Sequence, residues 1–208
     1  MSNGSIGKPI CRLRVMNNKE IAKETLAFID MYGLEAVSFR KISQATGVPA
    51  MTICNRFGSK ENLLKASLEI MLSEYPILPQ EHETWDENLR RIAHCVRNMA
   101  LAHPRAYWLF IQVPPFESPV REFTQSVFDS HKGQGIPDAM PYEFLSVMHS
   151  FLSGFQIAEG YANEAVRNDS NLSSNLGAFA RMFNEEAFDR DLTVIINGFA
   201  KVYDLLLN

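Results

Sequence analysis

SFRKISQATGVPAMTICNRFGSK, residues 38–60, is the stretch in which the fold of this chain is decided. Ser38 is a natural helix N-cap, and Phe39, Ile42 and Ala45 recur at the spacing that places side chains on one face of a helix. Gly47 ends that pattern as a glycine just past a helix does. Pro49 suits the first position of a second helix, because its missing N–H would have had no partner there. In that second helix, which runs to about Phe57, steps of about 100° per residue turn Ile53 and Phe57 inward and Met51, Thr52 and Asn55 outward. Cys54 and Arg56 fall on its flanks. Gly58 closes the helix, and Ser59 offers the cap of a third, which carries Lys60, Glu61, Leu63 and Leu64. Two short helices meeting at a glycine, the second with an outward polar set, form a helix-turn-helix of the kind that reads DNA.

Upstream, Asn17 or Asn18 begins a helix to about Tyr32 with Ile21, Phe28, Ile29 and Tyr32 on one face, ended by Gly33. This helix braces the two that follow. Residues 1–16 carry Lys8, Arg12 and Arg14 with no acid and are expected to form a flexible basic arm, or a leader without a role. Downstream, the third helix is expected to reach Ser73, before Pro76 and Pro79 mark a boundary. The reading therefore divides the chain into an arm over 1–16, a helix-turn-helix domain with the start of a connecting helix over 17–64, and a helical domain over 65–208.

That last domain is a succession of helical patterns and nothing else. They run from Trp85 to His103, from Pro104 to Pro114, from Pro119 to about Lys132, from Pro141 to about Val166, and from Glu185 to Leu207. The stretch RNDSNLSSNLG between the last two reads as a polar, mobile connection. No alternating strand pattern and no internal repeat interrupts them, so the fold class is all-α. In the two long closing helices, Phe144, Met148, Phe151 and Phe155, then Phe188, Leu192, Ile195, Phe199, Val202 and Leu206, recur in steps of three and four, with Ile196 and Tyr203 widening the second stripe. Stripes this wide need cover on two sides, which points to a homodimer through a four-helix contact; the alternative is a bundle closed within one chain. Gly154 and Gly198 would let such helices approach closely.

Composition limits the function. The chain has 208 residues, 46% of them hydrophobic, which is enough to bury a sizeable core. Its three cysteines have neither the number of a disulfide framework nor a CxxC spacing, and a reducing cytoplasm fits them best. The N-terminus lacks the apolar core of a secretion signal, and no later stretch reads as a membrane span. Net charge is −4 for the whole chain. Residues 1–70, however, hold 10 Lys and Arg against 6 Asp and Glu, and the remainder holds 10 against 18. Basic charge is thus concentrated around the helix-turn-helix, where phosphates would be met.

The run AFIDMYGLEAVSFRKISQATGVPAMTICNRFGSKENLL, with its glycine-valine pair, short helix, phenylalanine, Ser59, Lys60, Glu61 and Leu63–Leu64, resembles the DNA-binding region of the TetR family of bacterial transcriptional regulators. The likeness in sequence covers about the first third of the chain, and the remainder matches that family in architecture. The resemblance implies a sequence-specific regulator, a repressor released from its operator by a small, mostly apolar effector, whose partners are double-stranded DNA, that effector and a second copy. It implies that Ser38 and Lys60 meet phosphates and that Met51, Thr52 and Asn55 face bases. The full DNA-facing set is Ser38, Arg40, Lys41, Ala50, Met51, Thr52, Cys54, Asn55, Arg56 and Lys60. Two positions depart from the family: Cys54 stands where most members have tyrosine, and Arg56 where they often have histidine. Arg56, long and permanently charged, is the candidate to take over part of the missing tyrosine contact.

Enzyme chemistry finds no support, since HExxH, GxSxG, a phosphate-cradling glycine loop and a dinucleotide fingerprint are all missing. His94, Cys95 and His103 lie on one helix at spacings that suit a metal poorly, and neither metal nor cofactor is expected. The competing reading is a protein-interaction or nucleoid-associated module that uses the helix-turn-helix as a tether and has no inducer. For an effector pocket, Trp108, Phe116, Met148, Phe151 and Phe155 would supply apolar walls and Gln112 and His149 polar anchors, with Gln156 a further polar candidate and Tyr161 further apolar surface. Most of these aromatics belong to the core on this reading, because helical spacing already explains each of them.

Overall fold

Asn17 starts the first helix with a reciprocal cap: its side chain accepts the Glu20 N–H at 2.9 Å, and the Glu20 carboxylate takes the Asn17 N–H at 2.7 Å. The computed structural model describes residues 16–168 and 174–207, and the described chain is helical, with no strand among the described residues. Residues 1–15 of the expected basic arm lie outside the described residues. The chain divides into two compact units between Ile70 and Met71.

The first unit holds α1 (Asn18–Tyr32), a short 3₁₀ turn (Leu34–Ala36), α2 (Phe39–Thr46), α3 (Ala50–Phe57) and most of α4 (Lys60–Ser73). Its core gathers Ile21, Leu26 and Ile29 of α1, Ile42 of α2, Ile53 and Phe57 of α3 and Leu63 of α4, each buried. Burying a side chain of this size is worth about 1.5–3 kcal/mol, so the few apolar positions suffice to fix the phase of helices this short. The α2–α3 turn is held by one side chain. The Thr46 hydroxyl donates to the Ile42 carbonyl at 2.7 Å and accepts the Val48 N–H at 3.2 Å, while Gly47 takes a left-handed φ of +76°. Pro49 is the cap residue in extended conformation rather than the first helical residue, so α3 begins at Ala50. Ser59 caps α4 by accepting the Asn62 N–H at 3.1 Å.

The second unit contains α5 (Trp85–Ala102), α6 (Tyr107–Gln112), α7 (Val120–Ser130), α8 (Met140–Asn168), α9 (Ser174–Met182) and α10 (Glu185–Tyr203). α5 lies against α8 and α10. Where α5 carries polar groups inward, each meets a partner: Asn88 donates to the Ser130 carbonyl at 2.8 Å, and Arg97 pairs with Glu159 of α8 through bonds of 2.6 and 3.2 Å. Such a buried pair adds little net stability, but losing one member leaves a buried charge. Phe188 of α10 is fully buried, stacked on Phe151 at 5.6 Å and edge-on to Phe155 at 5.2 Å.

Helix α9 corrects the expected polar connection. SNLGAFARM is helical over Ser174–Met182 and packs on α8, and α8 itself continues to Asn168. The mobile part of that expectation, over 169–173, falls outside the described residues. The closing stripe divides between the core and the surface. Phe144, Phe155 and Leu192 are buried inside the chain, and Phe199 packs edge-on to Phe144 at 5.1 Å. Phe151 and Ile195 are half-buried, so Val202 and Leu206 alone of the expected stripe residues stand fully exposed. The side of α10 away from this core presents Val194, Gly198 and Val202 in steps of four, and α8 leaves Val147 and Gly154 exposed.

Candidate DNA interface and effector cavity

Because Ile53 is fully buried and Phe57 nearly so, the phase of α3 is set, and the opposite side must face outward. Met51 is 71% exposed, Asn55 and Arg56 are exposed, and Ala50, Thr52 and Cys54 are half-buried. Ser38, Arg40 and Lys41 are exposed at the start of α2, and Lys60 is half-buried in the first turn of α4. The Ser38 hydroxyl oxygen accepts the Lys41 N–H at 3.3 Å, which ties it to the first turn of α2. All ten expected DNA-facing residues therefore have accessible surface on this unit. One of them has an unexpected attachment. Arg56 donates Nη1 to the Met16 carbonyl just before α1, so part of its guanidinium fixes the chain entering the first helix. The sequence carried no sign of this, because the acceptor is a backbone carbonyl forty positions away.

A cavity of about 340 Å³ opens in the second unit among α5, α6 and α8. Trp108, Tyr107 and Ile111 of α6, Ala100 and Leu101 of α5, Pro104 and Arg105 of the connection and Ile157, Gly160 and Tyr161 of α8 line it, together with Gln156, Asn163 and Glu164. Gln156 is 7% exposed, and its amide nitrogen meets no protein acceptor. Gly160 is helical, and a Cβ built there would meet nothing within 4 Å. A second cavity, about 60 Å³, sits among α5, α6, α7 and α8 with walls that include Ile92, Val96, Phe123, Leu152, Met148 and His149. Tyr107 lines both, and burial pushes its hydroxyl well above the usual tyrosine range, so it stays an O–H donor. Small-molecule sites occupy about 300–1,000 Å³, which the larger cavity reaches and the smaller does not.

The expected pocket residues do not gather in one place. Trp108 lines the larger cavity, Met148 and His149 the smaller, and Gln112 and Phe116 neither. Phe116 is 74% exposed in the segment between α6 and α7, and Phe151 and Phe155 belong to the aromatic cluster around Phe188. Gln156 and Tyr161, the further candidates, line the larger cavity, as does Gly160, which nothing in the sequence singled out. His94, Cys95 and His103 also separate. His94 bonds Asp189 at 2.9 Å, His103 faces Glu74 at 3.4 Å, and the Cys95 thiol donates to the Tyr75 carbonyl at 3.7 Å. Among the described residues no group of three His, Cys, Asp or Glu is placed to hold a metal, and no described helix is long and apolar enough to cross a membrane.

Residues 21–67 match the family model for bacterial regulatory proteins of the tetR family, and residues 78–203 match that for a tetracyclin repressor-like C-terminal domain. Among solved structures, the chain is similar to a possible TetR family transcriptional regulator from Streptomyces coelicolor A3(2), with 18% identity and a TM-score of 0.73 over 89% of this chain and 100% of that one. It is similar to the Streptomyces coelicolor TetR family protein ActR in complex with actinorhodin, with 17% identity and a TM-score of 0.68 over 91% and 99% of the two chains. TetR from Acinetobacter baumannii AYE gives 19% identity and a TM-score of 0.67, again over 91% and 99%. At these identities the likeness is one of fold.

Proposed function

This chain belongs to the TetR family of bacterial regulatory proteins and is a DNA-binding transcriptional regulator; from that premise we propose that it is a homodimeric repressor released from its operator by a small, mostly apolar molecule. The observation that carries the DNA half of this reading is the presentation of α3, with Ile53 and Phe57 buried and Met51 and Asn55 exposed beside the basic start of α2. In the major groove, Asn55 would hydrogen-bond a base edge and the Met51 side chain would supply apolar contact to a thymine methyl. Lys60, Ser38, Arg40 and Lys41 would hold the backbone phosphates and so set the register of α3 without reading sequence.

The effector half rests on the larger cavity, whose size suits a small molecule and whose walls include Trp108, Ile111 and Ile157. The solved relative that holds actinorhodin supports a ligand-responsive role. Dimerisation is supported by the exposed Val194, Gly198 and Val202 row on α10 together with Val147 and Gly154 on α8, an apolar face without cover in one chain. In a dimer, the two α3 helices would read half-sites about one duplex turn apart, roughly 34–36 Å. The domain division proposed is the helix-turn-helix with the start of α4 as reading head and the following helices as the effector and dimerisation domain. Chemistry in this reading is recognition rather than catalysis.

The test is selection of duplexes from a random pool by the purified chain, followed by titration of an enriched and a scrambled duplex at physiological salt. A specific regulator should prefer the enriched duplex by about 10³-fold or more. Equal affinity for both would replace this reading with the tether, which needs no sequence.

A further inference from the structure

We infer that the basic run ahead of α1 is a second DNA-reading element, which enters the minor groove beside the half-site read by α3 and is tethered there through Arg56. The family match begins at Ile21 and assigns this run nothing. Its point of attachment is fixed. Met16 is 2% exposed, its carbonyl accepts the Arg56 Nη1 donor, and the next residue, Asn17, is locked by its reciprocal cap with Glu20. Arg56 is exposed on α3 and follows Asn55, the outward residue of that helix. The chain ahead of Met16 therefore departs within one side chain's length of the last turn of the reading helix. The single Nη1 bond leaves four of the five guanidinium N–H groups of Arg56 for phosphate or water, so the tether does not exclude a contact to the DNA backbone.

Charge and reach define what the run can meet. In the sequence, residues 1–15 hold Lys8, Arg12 and Arg14, and the first acid is Glu20. At the start of α1 the charges balance, Lys19 and Lys23 against Glu20 and Glu24, so the basic excess lies ahead of Met16. An extended chain covers about 3.3–3.6 Å per residue, which lets Arg14 reach about 7 Å from Met16, Arg12 about 14 Å and Lys8 about 28 Å. With about 34–36 Å per duplex turn, the minor groove next to the major groove that receives α3 is centred roughly 17 Å along the axis. The two arginines, with their own side chains added, span that distance, and the lysine reaches the phosphates beyond. A narrow A·T minor groove carries enhanced negative potential that draws arginine in, and the guanine amino group distinguishes G·C there. The competing partner for these charges is the acidic second part of the chain, where 18 Asp and Glu stand against 10 Lys and Arg. The tether to the reading helix favours DNA.

The test uses the full-length protein and the duplex enriched from the random pool, extended on each side by about one helical turn of A·T, of inosine·cytosine or of G·C pairs. Inosine lacks the guanine amino group and so presents an A·T-like minor groove beneath a G·C-like major groove. The wild type should bind the A·T and inosine flanks at least about tenfold more tightly than the G·C flanks. The double variant Arg12→Gln, Arg14→Gln should bring this ratio close to one, keep its thermal midpoint, and flatten the slope of log affinity against log salt by about 0.9 for each arginine lost. Arg56→Leu, checked for helical content at the assay temperature, should lower the flank ratio with both arginines in place; loss of a phosphate contact alone would change the salt slope and leave the ratio. Equal wild-type affinity for all three flanks, inosine flanks that behave as G·C, or a ratio that survives the double substitution would each overturn the inference. Tighter binding by the double variant would overturn it too, by placing the run on the acidic part of its own chain. A flank ratio unchanged in Arg56→Leu would overturn the tether. Preference for the enriched over the scrambled core is measured separately, so the regulator reading stands or falls independently of the flanks.

Discussion

Asn55 and Lys60 stand on either side of Gly58, and their loss should have opposite signatures. Asn55→Ala removes a base-edge bond and should cost about 1–3 kcal/mol of discrimination at particular base pairs with the salt dependence unchanged. Lys60→Ala removes a phosphate contact, so binding to all duplexes should weaken and the slope of log affinity against log salt should flatten by about one unit. Salt titrations of both variants on operator and scrambled duplex separate the two; identical slopes for wild type and Lys60→Ala would remove Lys60 from the phosphate set. His131 supplies a second prediction at this scale. It is buried, and burial pushes its imidazole below the ordinary histidine range, partly offset by its 3.1 Å bond to Gln134. The unfolded chain therefore binds a proton at a higher pH than the folded one, and stability should fall as pH drops below about 6.5 toward the folded value. Urea midpoints at pH 7.5 and 5.5 should differ for wild type, and the His131→Gln variant should show a smaller difference; an equal acid loss in both would exclude His131 as the cause. The outward set on α3 was legible in the sequence because a helix of eight residues between two glycines has one possible phase. The cavity was not legible. An aromatic at helical spacing looks the same in a core as in a cavity wall, and what makes the larger cavity is missing volume at Gly160 and Ala100, which leaves no mark in hydrophobic periodicity.

At the scale of the element, α10 buries only part of the expected stripe. Its buried residues are Ala187, Phe188, Leu192, Ile196 and Ala200, mostly an every-fourth row, whereas the expected stripe alternated steps of three and four. Against a helix of 3.6 residues per turn, a 3.5-residue stripe slips by about 20° per heptad. By Val202 it has left the core, and Leu206 lies beyond Asp204, where a left-handed φ of +52° ends the helix. Helix α9 was missed for a different reason: its first residues, Ser174 and Asn175, favour caps and turns, so local composition reads as a loop while packing on α8 holds the segment helical. The two faces of α10 should respond differently to substitution. Val194→Asp places a charge on a side chain 67% exposed within the chain, so the monomer should keep its helicity and melting temperature at high dilution while sedimentation shows the dimer dissociated. Leu192→Ala, inside the core, should cost about 2–5 kcal/mol in chemical denaturation whatever the state of association. A dimer that persists in Val194→Asp at micromolar concentration would move the contact off this row.

For the whole molecule, the question is how occupancy of a cavity in the second unit can alter the grip of the first. The covalent path is α4, which Ser59 caps directly after α3 and which crosses from Ile70 to Met71 between the two units. A ligand bound equally well by DNA-competent and DNA-incompetent forms shifts nothing, however tightly it binds. What counts is preference. Linkage then requires that DNA weaken the ligand by the same factor as the ligand weakens DNA, and couplings of about 1–3 kcal/mol correspond to about 5- to 150-fold. The measurement needs a ligand found by thermal-shift screening, with its affinity determined in the absence and presence of saturating operator, and the operator affinity determined in the absence and presence of saturating ligand. The two ratios should agree within error and lie in that range. Trp108→Ala, which removes a wall of the larger cavity, should weaken the ligand while leaving operator affinity of the free protein unchanged, because Trp108 belongs to the second unit and is not among the proposed DNA contacts. Identical ligand affinities with and without operator would rule out induction even for a tight binder; unequal ratios in the two directions would mean that ligand and DNA respond to more than one pair of conformations.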